Sequence, residues 1–133
     1  MLDTMTRYLA GVAAERDRNA ITQVTTPLVD RFSSLATSTA GLVIKTGGSA
    51  LAKTGSVAFQ GLASGVPVTI ATGTDMPALS GSITAASFNV YCFFIDSAST
   101  VTSAMGTEGT TLANVKFPPF PQGKALVGYL IVT

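Results

Sequence analysis

Two stretches of this chain, SFNVYCFFID and GKALVGYLIVT, are apolar on both faces when extended. Successive side chains of a strand point to opposite faces. In the first run Phe88, Val90, Cys92 and Phe94 fall on one face, and Tyr91, Phe93 and Ile95 on the other. In the second, Ala125, Val127, Tyr129 and Ile131 alternate with Leu126, Leu130 and Val132. A sheet with one wet face alternates apolar with polar residues. Neither run does. Each is therefore expected to lie between a core and a second apolar layer, supplied by an N-terminal helix or by a neighbouring subunit. The closing strand is expected to be central, with FPPFPQ as a stiff lead-in whose prolines fix φ and donate nothing to a ladder. An aspartate at position 127 or 130 would bury an unpaired charge.

The remaining strands are shorter. GLVIK, SALAK, SVAFQ, VPVTIAT, ALSGSIT, VTSAMG and TLANVKF are separated by Gly-containing turns. Short β-rich runs at this spacing predict a mainly β fold, an antiparallel sandwich or barrel of about seven or eight strands. Pro67 places VPVTIAT at a sheet edge or a strand start.

Before this β region the composition differs. All four arginines (Arg7, Arg16, Arg18, Arg31) precede residue 40, and all four lysines follow it. The sequence divides at TSTAG into an N-terminal helical or extended arm, 1–40, and a β domain, 41–133. Asp3 is placed to cap a helix whose stripe is Met5, Tyr8, Leu9 and Val12, at i, i+3, i+4 and i+7. Asn19 and the β-branched ITQVTT weaken it. Thr26-Pro27 is a start signal for a second short helix with Val29, Phe32 and Leu35 on its face; an extended arm over 20–36 is the alternative. A single amphipathic helix is marginal in water and docks on something.

Few chemistries are open to such a chain. It has no histidine, which removes Ser-His and Cys-His pairs and the usual base near neutral pH. Its net charge of +1 offers no field for nucleic acid. Cys92 is the one cysteine and reads as a small buried hydrophobe. Asp75, Asp96 and Glu108 each sit in a turn-like context. No cofactor, metal or catalytic site is expected, and the chain is read as a non-enzyme. No window reaches the roughly 18 apolar residues of a membrane helix. The N-terminus lacks a signal-peptide pattern, so synthesis and folding in the cytosol are expected. Only 11% of residues are charged and 47% are hydrophobic. A small domain with so few charges is expected to give apolar surface to another chain.

Residues 83 to 133 resemble a module of virion structural proteins of tailed bacteriophages. The likeness is carried by FNVYCFFID, by Met-Gly-Thr-Glu-Gly at 105–109, by Val-Lys-Phe-Pro at 115–118, by Pro-Gln-Gly-Lys-Ala at 121–125 and by the closing Gly-Tyr-Leu-Ile-Val. The resemblance implies a head decoration (cement) protein on the capsid surface. Such a protein is a homo-oligomer, often a trimer, that bridges major capsid subunits. A fibre or adhesin component binding a host surface glycan is the alternative. Expected contacts with a sister subunit or the shell are Met5, Tyr8, Leu9, Val12, Phe32, Tyr91, Phe93, Val127, Tyr129 and Leu130.

Overall fold

The computed structural model describes residues 2–47 and 50–133, and of residues 2–13 the backbone alone. The side chains of Met5, Tyr8, Leu9 and Val12 lie outside the described residues. The chain divides into two units, residues 1–32 and 33–133.

The first unit is one helix, α1 (Leu2–Ser33), with Pro27 inside it. The expected break after Asn19 and restart at Thr26 do not occur. Thr22 satisfies its own hydroxyl by donating to the Arg18 carbonyl at 2.9 Å, so this β-branched residue does not compete with the helix. Pro27 removes one backbone donor, and the strong helix formers Ala20, Gln23, Leu28 and Arg31 carry the turns around it. Asp3 falls inside the first turn rather than before it.

The second unit is β, with eight strands among the described residues in three antiparallel sheets and no closed barrel. β1 (Leu35–Ala36), β4 (Phe59–Ala63) and β5 (Val66–Ile70) form the first sheet in the order β1-β4-β5. Strand pairing thus begins before residue 41. β2 (Val43–Ile44) and β3 (Ala52–Lys53) form a two-stranded ribbon. β6 (Asn89–Ile95), β7 (Val101–Met105) and β8 (Ala125–Val132) form the third sheet in the order β7-β6-β8. Pro67 lies on β5, at an edge, where its missing N–H leaves no ladder bond unmade. The β4–β5 turn, Ser64-Gly65, has φ of 50° and 76°. Two positive φ values in a two-residue hairpin match the twist of the flanking strands, and glycine takes the second without strain.

The principal core is shared by the first and third sheets. Phe59, Val68 and Ile70 cluster with Phe93, Ile95, Ala125 and Val127, and Met76 belongs to the same core. Each large apolar side chain buried here contributes roughly 1.5–3 kcal/mol.

β6 has both faces covered, and all seven of its residues are buried. Its second face carries Val90, Cys92 and Phe94, packed against Ala104, Val115 and Leu126. The chain's own segment 106–124 completes this layer, where the sequence pointed to the helix or a neighbour. The Phe120 ring stands edge-on to Phe94 at 5.4 Å, and Pro118 is buried. Paired backbone bonds between Thr107 and Lys116, and between Phe88 and Gly109, hold the segment down. Buried Asn89 donates its amide to the Gly106 carbonyl at 3.2 Å and accepts from the Val90 N–H at 2.8 Å. At Gly106 a Cβ would stand 2.3 Å from the Lys116 carbonyl oxygen, so only glycine permits this approach.

Two expected strands are absent. In ALSGSIT, Gly81 takes φ 98° and Ser103 donates its hydroxyl to the Ala78 carbonyl, so the segment lies as a loop along β7. TLANVKF contains a single 3-10 turn, Leu112–Asn114, because Asn114 N–H folds back to the Thr111 carbonyl.

β8 also departs from expectation. Among the described residues it is an edge strand, paired only with β6. A register shift opposite Phe93/Phe94 leaves Val127 as an extra residue between Leu126 and Gly128. A bulge of this kind reverses the facing of everything beyond it. Ala125 and Val127 enter the principal core, while Tyr129 and Ile131 pair with Cys92 and Val90 on the other face.

Candidate interaction surface

The bulge in β8 and the segment that covers β6 together create an apolar surface. Tyr129 and Ile131 emerge beside the second layer, and Phe117 and Phe120 hang over it from the covering segment. All four are between 51% and 54% exposed. Phe117 meets Tyr129 edge-on at 5.3 Å. Such ring pairs are favoured by packing and quadrupole geometry, so the two aromatics stand together on the surface. Next to them runs the outer edge of β8, with no strand on it among the described residues. An open strand edge can template another strand, and an exposed apolar patch can be buried by another chain.

The expected contact residues separate accordingly. Tyr129 lies on this surface, and Phe32 is exposed near the end of α1. Leu130 is half-buried against the principal core. Tyr91, Phe93 and Val127 are a correction: they are 3%, 0% and 6% exposed within a single chain, and offer no surface to a neighbour. Alternation places Val127 with Tyr129, and the bulge separates them. Phe117, Phe120 and Ile131 were absent from the expected set. The signal for Phe117 and Phe120 was the FPPF stretch, whose prolines keep both rings out of regular strands, whereas Ile131 was hidden by the bulge.

The polar groups serve the fold. The Asp96 carboxylate accepts from Ala98 N–H at 3.0 Å and Thr100 N–H at 2.9 Å, closing the β6–β7 hairpin. Asp75 pairs with Lys45. Buried Thr54 donates to the Ala71 carbonyl at 2.7 Å and accepts from Thr74 N–H at 2.8 Å. Glu108 accepts from the Thr84 hydroxyl at 2.7 Å and the Thr84 N–H at 2.9 Å. These bonds favour the charged form and hold the Glu108 carboxyl below the ordinary glutamate range. The stability it adds is present above the unfolded-state value and is lost as pH falls through the lower folded value. Two-dimensional NMR of the Thr84 amide should therefore show a titration with its midpoint below that of an ordinary glutamate. In Glu108→Gln that titration should vanish; its persistence would assign the shift to another group.

Burial pushes the Cys92 thiol up to about 11. The thiolate is the reactive form, so at pH 8 a thiol-specific reagent should label Cys92 only after denaturation. Rapid labelling of the folded chain would show that the layer over β6 opens.

Among the described residues no three His, Cys, Asp or Glu side chains gather as a metal cage, and no helix is long and apolar enough to cross a membrane. No protein-family model, curated protein or solved structure matches this chain.

Proposed function

We propose that this chain is a structural virion protein that decorates a tailed-phage capsid. Made in the host cytoplasm, it binds the capsid surface as a homo-oligomer, bridges major capsid subunits and performs no catalysis. The first and third sheets, which share one core, are read as the two layers of a small β-sandwich. The observation that carries the reading is the apolar surface of Phe117, Phe120, Tyr129 and Ile131 beside an edge of β8 that is unpaired among the described residues. Burying half-exposed aromatics in a neighbouring subunit yields affinity without charge, and this chain has little charge to offer. The Asp75, Asp96 and Glu108 carboxylates are engaged in turns and loop contacts, which suits a scaffold. A glycan-binding fibre component is the alternative, since Phe117 and Phe120 are exposed aromatics on a loop.

The double variant Phe117→Ser, Tyr129→Asp tests the docking face. It should fold, as judged by far-UV circular dichroism, and fail to cosediment with purified particles that the unaltered chain saturates. Cosedimentation equal to that of the unaltered chain would remove this face from the contact.

A further inference from the structure

The exposed apolar residues of α1 are not scattered. Four of the five exposed large apolar residues among those described share a side: Ile21, Val24 and Leu28 follow at i, i+3 and i+7, and Phe32 lies one turn beyond, all between 50% and 73% exposed, while Val29, 64% exposed, falls about 60° to one side of Phe32. On a helix the first four positions fall within about 80° of one another, a single stripe. Pro27 falls about 100° away from Leu28 and so off that stripe. The steps Ile21 to Val24 to Leu28, three residues then four, give the 3.5-residue period by which one helix recognises another, with Phe32 flanking it.

The same period carried outward reaches Asp17 at one end and Arg31 at the other. Neither makes an ion pair among the described residues, whereas Glu15 and Arg18 pair with each other. Asp17 and Arg31 are equidistant from Val24. The described stretch from Ala14 onward holds three acidic and three basic residues (Glu15, Asp17, Asp30; Arg16, Arg18, Arg31), so two copies do not repel through net charge.

We propose that α1 pairs with α1 of a second copy of this chain in antiparallel register centred on Val24. Ile21 of each helix packs near Leu28 of the other, and Asp17 of each meets Arg31 of the other. The charges select the direction. A parallel pair in the same register sets Asp17 against Asp17 and Arg31 against Arg31, and a threefold parallel bundle stacks three of each in one layer. The antiparallel pair makes two opposite-charge contacts at the ends of an apolar seam, and it opposes the helix dipoles. Its interface is isologous, with one patch used twice. The trimer implied by the resemblance is therefore replaced, at this helix, by a twofold contact. The pairing does not depend on what particle the β unit binds.

The test uses the full-length chain in light scattering coupled to size exclusion. The unaltered chain should run as a dimer and Val24→Asp as a monomer with unchanged circular dichroism. Asp17→Arg should weaken the dimer about tenfold or more by placing like charges together, and Asp17→Arg with Arg31→Asp should restore it. Direction is read by oxidation: a mixture of Asp17→Cys and Arg31→Cys chains should form a heterodimeric disulfide, and Asp17→Cys alone should form none. A monomeric unaltered chain, a Val24→Asp chain of unchanged mass, an unrestored double reversal, or a disulfide through Asp17→Cys alone would each overturn the pairing.

Discussion

Val127→Asp should strip the β unit of a large part of its stability, while Tyr129→Asp, on the same strand, should cost it little. Val127 is 6% exposed in the core shared by two sheets, and Tyr129 is 52% exposed beside Phe117. A carboxylate at 127 would have no partner in that core. The cost of an uncompensated buried charge is about 3–5 kcal/mol, against a typical domain stability of about 5–15 kcal/mol. At 129 the carboxylate reaches water, and the loss is one ring contact of about 0.5–1.5 kcal/mol. Leu130→Asp should fall between them, because Leu130 is half-buried against the same core. Urea denaturation of the three variants gives the order directly. Equal losses at 127 and 129 would mean that β8 alternates without a bulge.

Phe94→Ala should be the most costly change in the second layer. Phe94 is 1% exposed, pairs across the sheet with Leu126, and supports the Phe120 ring. Deleting a buried phenylalanine side chain costs about 3–5 kcal/mol, part of it from the cavity left behind. Phe120→Ala removes the same ring contact from the outside and should cost far less, since Phe120 is 54% exposed. Chemical denaturation compares them. If the two are equal, the 106–124 segment does not seal β6 as a second layer.

What the sequence could reveal divides along physical lines. The double apolar alternation of FNVYCFFI required a strand covered on both faces, and β6 is that strand. Pro67 pointed to a sheet edge or a strand start, and β5 is an edge strand with Pro67 as its second residue. The facing of β8 was hidden, because a bulge depends on how Val127 fits opposite Phe93 and Phe94, and no single-strand pattern encodes that fit. ALSGSIT has the spacing of a strand, but its Gly81 takes a positive φ and its neighbours find partners outside a ladder. In α1 the local signals of Asn19, Thr26 and Pro27 were overridden by the helix as a whole. Tyr91 and Phe93 looked available because an apolar face without a visible cover invites a neighbour. Phe93 is in fact covered by Phe59, Val68 and Ile70 of the first sheet, and the opposite face, Val90, Cys92 and Phe94, is covered by the same chain's proline-rich segment, whose path back over the sheet depends on long-range bonds such as Thr107 to Lys116. The surviving surface, Phe117 with Tyr129, joins residues that are apart in sequence.

The proposed role as a capsid component is tested most directly by the number of copies of this chain per purified particle, counted by quantitative mass spectrometry against the major capsid protein. Copies in the hundreds, in fixed ratio to the shell protein, are the predicted result. A few to a few dozen copies would indicate a fibre or tail component instead, and absence from the particle would contradict a virion role altogether.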